Sequence, residues 1–375
     1  MTEFPYQRLR RWPDVEAPNL FAADAADRLL LERAADALDT CAPGGLVVIG
    51  DHYGALTLPA AAAGAAGIRV HQDALSGESA LARNAEAFDL TTAYRSLPLA
   101  AELLAGARVV LLRLPRSLDA LEEVAEAIAR HAEPDVTVFA GGMVKHMTLA
   151  MNEVLARHFG RVQAGLARQK ARVVVASAPR RPAAESRWPL REFHEDLGLW
   201  VCAHGGAFAG TRLDIGTRFL LGFLDQAAPD AAAAIDLGCG TGVLAAALAA
   251  SRPGIRVLAS DQSSAAVASA RATMQANGLA DRVRVVRDDG LSALPDGSAE
   301  LILLNPPFHV GATVHAGRAH GLFTEAARVL ADGGELWTVF NSPLAYRPAL
   351  TRIVGPTRQV GRNAKFTVTV STRRR

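Results

Sequence analysis

Lysine is almost missing from this 375-residue chain. Lys145, Lys170 and Lys365 are the only three, so arginine supplies the other 37 of the 40 cationic side chains. Arginine suits bidentate contacts to phosphate and base edges, although a GC-rich coding sequence produces the same bias. The 40 cations face 38 acids, which excludes a global polycation. Cysteine is scarce as well. Cys41, Cys202 and Cys239 share no metal-type spacing and are too few for a disulfide framework. No apolar run approaches the ~18 residues of a membrane span, since the best candidate, 55–66, is broken by Pro59. The opening MTEFPYQRLRRWP lacks the apolar stretch of a signal peptide. A soluble, cytoplasmic protein without metal or membrane partner is expected. Half of the residues are apolar, enough for sizeable cores, and the length suggests two domains.

The chain repeats itself. LVVIGDHYGAL (46–56), IRVHQD (68–73) and VVLLRLPRSL (109–118) line up with IDLGCGTGVL (235–244), IRVLASD (255–261) and LILLNPPFHV (301–310). Gly54 to Asp73 and Gly242 to Asp261 both span 19 residues, and Gly54 to Arg113 spans 59 against 63 from Gly242 to Asn305. Further on, Thr137-Val-Phe pairs with Thr338-Val-Phe as another apolar strand. Short β-rich runs alternate with Ala-rich helical stretches such as 244–251 and 264–276, which predicts βαβ units and a parallel sheet in each half. The fold expected is α/β, with two tandem Rossmann-like domains.

Between the halves, SAPRRPAAESRW (177–188) carries breakers at Pro179 and Pro182 and reads as a linker. The division expected is 1–178, a linker at 179–185, and 186–375. After it, LREFHEDLGLWVCAHGG alternates about an Asp-Leu-Gly turn, a hairpin signal. Residues 157–191 hold nine cations and one acid, and 357–375 hold six cations and no acid. Such runs are usually solvated surface. Two of them near one catalytic motif favour a nucleic-acid partner.

Asp236-Leu-Gly238-Cys-Gly240-Thr-Gly242 follows a short apolar strand and opens a helix. Alternate glycines let the backbone turn sharply and approach a ligand. A dinucleotide fingerprint requires glycine where Val243 stands. The spacing instead resembles motif I of the class I S-adenosylmethionine-dependent methyltransferases, in which the loop cradles the methionine part of S-adenosyl-L-methionine. Asp261 ends the next strand, where an acid accepts ribose hydroxyls in nucleoside-binding domains; capping the following helix is the other reading, with Ser263 competing for it. Asp288 and Asp289 end the third strand at a position that resembles the one contacting the adenine amino group, with Asp289 the slightly better fit.

Asn305-Pro306-Pro307-Phe308 ends the strand 301–304, at the carboxyl edge where open α/β sheets bind ligands. It resembles the motif of methyltransferases that act on an exocyclic amine of a base or on a glutamine amide. That nitrogen is a poor nucleophile because its lone pair is delocalised. The Asn305 side-chain oxygen and the Pro306 carbonyl each accept an N–H, which turns the lone pair toward the methyl and stabilises the developing charge. Phe308 supplies a stacking surface. Upstream, Asp214-Ile-Gly216-Thr217 reads as a helix start capped by Asp214.

Taken together the layout resembles the ribosomal RNA guanine-N2 methyltransferases, which carry one degenerate and one active methyltransferase domain. LDIG, DLGCGTGVL, NPPFH and the terminal NAKFTV all fit, over essentially the whole chain. RLRRWP near the start and FAGGMVKHMTLAMNEVLARHFG favour the large-subunit (23S) branch over the small-subunit (16S) one. The resemblance implies catalysis by Asn305, Pro306 and Phe308. It implies cofactor binding by Asp214, Gly216, Thr217, Asp236, Gly238, Gly240, Gly242, Asp261, Asp288, Asp289 and Asn305, with ribosomal RNA as partner. Ala209-Gly210-Thr211 departs from the commoner loop before LDIG.

The first half lacks the catalytic residues. Val48 stands for Asp236, Asp51 for Cys239, and Arg113-Leu-Pro115-Arg116 for Asn-Pro-Pro-Phe. This half is expected to be inactive and to recognise RNA. Arg113 and Arg116 at the former site either hold phosphates or are residual surface charges. Three other functions compete. A glutamine-N5 protein methyltransferase normally has Tyr after Pro-Pro, an adenine-N6 DNA methyltransferase needs a target-recognition insertion, and a non-catalytic RNA-binding protein would not bind the methyl donor.

Overall fold

The computed structural model describes residues 4–306 and 312–374, so Pro307 and Phe308 of the Asn-Pro-Pro-Phe motif, the latter expected to be catalytic, lie outside the described residues. The chain forms two compact units, Met1–Trp188 and Pro189–Arg375. No helix among the described residues is long and apolar enough to cross a membrane.

Strands of the first unit are β1 Leu46–Ile49, β2 Ile68–His71, β3 Tyr94–Ser96, β4 Val109–Arg113, β5 Thr137–Met143, β6 Phe159–Ala164 and β7 Ala171–Pro179. A hairpin of β8 Leu190–His194 and β9 Leu199–Ala203 opens the second unit. It turns at the expected Asp-Leu-Gly, with Gly198 at φ +62°. The remaining strands are β10 Ala233–Leu237, β11 Arg256–Asp261, β12 Val283–Arg287, β13 Ala299–Leu304, β14 Leu330–Asn341, β15 Thr357–Arg362 and β16 Phe366–Thr372.

Both sheets have one order. The first runs β3-β2-β1-β4-β5-β7-β6 and the second β12-β11-β10-β13-β14-β16-β15. In each, five strands are parallel and the last two are antiparallel additions. Helices cover a parallel sheet on both faces, so its inner strands are apolar throughout. Leu46–Ile49 is buried at every position, and so are Leu301–Leu304. The hairpin edge is closed differently. Asn277, Thr273 and Ser269, one helical turn apart, accept the backbone N–H groups of Trp200, Cys202 and His204.

Strand register confirms the repeat at one point and corrects it at two. Val48 pairs with Val70 and Leu111, and Asp236 pairs with Ala259 and Leu303, which confirms Val48 as the counterpart of Asp236. The same ladders put Gln72, not Asp73, at the place of Asp261. Leu112 pairs with Ala140 while Leu304 pairs with Thr338, so Thr137 and Thr338 are three positions out of register. Similar apolar triplets mislead because hydrogen-bond pairing, not composition, sets register. The linker signal also began too early. Ser177 pairs with Thr137 and Arg161, and Pro179 closes β7, where the last strand residue needs no N–H.

Candidate active site

The strand ends β10, β11, β12 and β13 converge where the strand order reverses, the place where open α/β sheets bind ligands. The loop after β10 makes successive left-handed turns at Gly238 and Gly240, φ +71° and +54°. A Cβ at either would meet nothing within 4 Å, so their bare faces border open space. Gly242 has another purpose. A Cβ there would sit 2.8 Å from Met274 Cε, so this glycine lets the loop close on helix Ser264–Ala276.

Asp236 lies beneath the loop rather than on it. It is 1% exposed, and its Oδ2 accepts the Ala245 N–H at 3.0 Å, pinning the start of helix Val243–Ser251. The resemblance made Asp236 a cofactor ligand; in the structure its carboxylate is an internal anchor with no exposed face. Burial pushes its pKa up to about 7. An acid raised in the folded state favours folding while protonated and opposes it as pH climbs through that value. Asp236→Asn keeps an oxygen for Ala245 and removes the ionisation. We expect the variant to gain stability over the wild type by about 1.4 kcal/mol per pH unit as pH rises toward 7. Parallel profiles of Tm against pH would sink this expectation.

Asp261 faces back into the glycine loop. Its Oδ2 accepts the Gly240 N–H at 3.0 Å and its Oδ1 the Ser263 N–H at 2.9 Å. Ser263, not Asp261, caps helix Ser264–Ala276 through Ala266 N–H. The carboxylate of Asp288 is engaged by Ser292 Oγ–H and Ala293 N–H.

Asn305 follows β13 and meets the first turn of helix Ile215–Leu221. Its Nδ2 donates to Asp214 Oδ2 and to Thr217 Oγ1, both at 2.9 Å. Asp214 also caps that helix by accepting Thr217 N–H at 2.9 Å. Asn305 Oδ1 is buried and has no hydrogen-bond partner among the described residues. Gly216 makes room for this arrangement, since a Cβ there would lie 3.0 Å from Asp214 Oδ2 and 3.5 Å from Asn305 Oδ1. Phe366, which the sequence reading passed over as a site residue, closes another side, 3.2 Å from the same point. The terminal NAKFTV was its only signal. Pro306 is buried beside Asn305.

The N-terminal unit builds the same corner from different residues. Asp51 Oδ2 accepts the Thr57 N–H at 2.8 Å, the bond that Asp236 makes to Ala245. A buried acid three residues further along therefore preserves the helix anchor that Val48 cannot supply. Arg113, at the register position of Asn305, reaches Asp24 Oδ1 and Asp27 Oδ1 at 2.8 Å and Asp24 Oδ2 at 3.0 Å. Asp24 is the N-cap of helix Ala25–Asp39 and Asp27 its third residue, the places of Asp214 and Thr217. Arg113 thus neither faces RNA nor drifts on the surface; it fills the former site with an internal ion pair. Arg116 is exposed.

S-adenosyl-L-methionine fits the second unit, which has two left-handed glycines with open faces beside an acid at the end of β11. The first unit has one sharp loop glycine fewer, His52 standing where Gly240 stands. Fold and site together define a methyltransferase with one catalytic and one degenerate unit. Residues 198–370 match the model of the methyltransferase small domain, and residues 1–180 match the RLMG N-terminal domain. The chain is 36% identical to ribosomal RNA large subunit methyltransferase G of Streptomyces coelicolor over 96% of both chains. It is 37% identical to the protein of that name from Pseudomonas paraeruginosa, over 98% of this chain and 97% of the other. The 16S rRNA N2 G1207 methyltransferase of T. thermophilus, solved with AdoMet and guanosine, superposes with a TM-score of 0.72 at 23% identity, over 98% of this chain and 99% of that one. The chain belongs to the ribosomal RNA large subunit methyltransferase G family.

Proposed function

We propose that this enzyme methylates the exocyclic N2 amino group of a guanine in 23S ribosomal RNA, using S-adenosyl-L-methionine. The observation that carries this reading is the Asn305 amide. Both of its N–H groups are tied to the protein, and its oxygen, buried without a partner among the described residues, is left as an acceptor for an amino group. A buried acceptor of this kind costs about 1–3 kcal/mol until it is satisfied, so it favours a substrate that donates there. The large-subunit assignment is supported by relatives of that name along nearly the full length of the chain.

Gly238 and Gly240 would receive the methionine part, Asp261 the ribose hydroxyls, and Asp288 or Asp289, at the end of β12, the adenine amino group. The bound cofactor supplies an electrophilic methyl on a positively charged sulfur. Asn305 Oδ1 and the Pro306 carbonyl accept the two N–H bonds of the guanine amine. The nitrogen lone pair is thereby turned out of conjugation and toward the methyl, and the charge that grows on nitrogen meets two fixed dipoles. The amine is neutral beforehand, so its proton leaves to solvent after transfer and no strong base is needed. The stacking role of Phe308 rests on the sequence alone.

The test is methyl transfer from radiolabelled S-adenosyl-L-methionine to purified 23S and 16S RNA, followed by nucleoside mapping. N2-methylguanosine in 23S RNA alone is the expected product. Label confined to 16S RNA, or no label in either RNA, would overturn the assignment.

A further inference from the structure

The resemblance placed Asp214 and Thr217 among the cofactor ligands, yet their described contacts run to Asn305. We propose that both are positioning residues: they hold the Asn305 amide with its oxygen turned toward the guanine amino group. The proposal deepens the function above and rests on that reading of Asn305.

The argument is one of donors and acceptors. An amide presents a similar outline with oxygen and nitrogen exchanged, so packing alone does not choose between the two orientations. An ionised carboxylate does choose, because it only accepts. Asp214 Oδ2, 2.9 Å from Asn305 Nδ2, excludes the flipped amide, which would set oxygen against oxygen. Thr217 Oγ1 takes the second N–H at the same distance and fixes the plane of the group. Asp214 is itself anchored, since it caps the helix on which Thr217 sits, through Thr217 N–H. In the flipped orientation an N–H would point at the guanine amine, donor against donor, and the lone pair would not be oriented. The degenerate unit shows the converse. There the same two helix positions hold Arg113, which has donors only, and the acceptor that an amine requires is gone.

The decisive experiment exchanges the partners, using the full-length protein, 23S RNA and S-adenosyl-L-methionine. Asp214→Asn keeps a competent helix cap but offers Asn305 either an acceptor or a donor. Single-turnover methyl transfer at saturating cofactor should fall by about 10²-fold, the penalty of a misoriented reacting group, with cofactor affinity unchanged. Asn305→Asp alone sets two carboxylates in contact, which do not both stay ionised. Its transfer should be similarly slow and should recover as pH is lowered. The double variant Asp214→Asn/Asn305→Asp restores one donor facing one acceptor and leaves a carboxylate oxygen for the guanine, and should transfer faster than either single variant. Thr217→Val tests the second contact without touching the cap and should slow transfer, whereas Thr217→Ser should not.

If Asp214→Asn weakens cofactor binding and leaves the saturated rate intact, Asp214 is a cofactor ligand and the proposal is wrong. A double variant no faster than the singles, each folded by circular dichroism, also overturns it. Failure of the underlying function looks different: Asn305→Ala would then transfer methyl to guanine at the wild-type rate.

Discussion

Asn305→Ala should lower single-turnover methyl transfer by about 10²–10³-fold, as for the loss of one preorganised electrostatic contact. Cofactor affinity should be almost unaffected, because Asn305 makes its described side-chain bonds to Asp214 and Thr217, and its oxygen, without a partner among the described residues, is the acceptor proposed for the guanine amine. The effect belongs to the transition state. In the ground state the guanine amine is nearly planar and neutral, and loses little when one acceptor is missing. As the new bond forms, nitrogen becomes pyramidal and positive, and the preorganised dipole of the amide oxygen counts for more. The loss should therefore fall on kcat, with KM for RNA little changed. Transfer at the wild-type rate would reduce the Asn-Pro-Pro turn to a structural feature.

The second large effect lies far from the chemistry. Arg113→Met should destabilise the N-terminal unit by about 3–5 kcal/mol, the range for breaking a buried ion pair by removing one partner. The Arg113 side chain is 15% exposed, and it faces Asp27 at 9% and Asp24 at 40%. Burial pushes Asp27 up to about 7. Burial acts on Asp24 in the same direction, but the Arg113 hydrogen bonds and charge outweigh it and hold that carboxyl at about 2. With methionine in place of arginine, Asp24 loses its counter-ion at neutral pH. Adding Asp24→Asn and Asp27→Asn to the methionine variant should recover most of the loss, since both amides still serve the helix start. Hydrogen exchange across helix Ala25–Asp39 reads the effect directly. Protection unchanged by Arg113→Met would show that the pair contributes no more than a surface salt bridge.

Much of the catalytic unit was legible in the chain as written. A glycine at every second position after an apolar strand admits few backbone paths, and an Asn-Pro-Pro at the end of a buried strand has one place in an α/β sheet. Hence the strand ends, the hairpin at Gly198 and the tandem repeat follow from local chemistry and periodicity. Asp214 as a helix cap was readable for the same reason, since capping involves neighbours in sequence.

What remained hidden was what each polar side chain touches. Asp214 and Asn305 are 91 residues apart, and Arg113 and Asp24 are 89 apart. Asp236 fits a motif equally well as a cofactor ligand and as an anchor, and its burial and its bond to Ala245 show only in the folded chain. Arg113 illustrates the difference most clearly. As a letter it was a spare cation at a dead active site, open to phosphate or to solvent. Only the folded chain brings Asp24 and Asp27, at the start of helix Ala25–Asp39, to it, because that helix packs on β4, β5 and β7. The sequence by itself determined the sheets, the loop that turns on glycine and the residue types at the site. The tertiary structure alone decided which carboxylates are structural and which way the Asn305 amide points, because these depend on contacts between distant segments that no local pattern encodes.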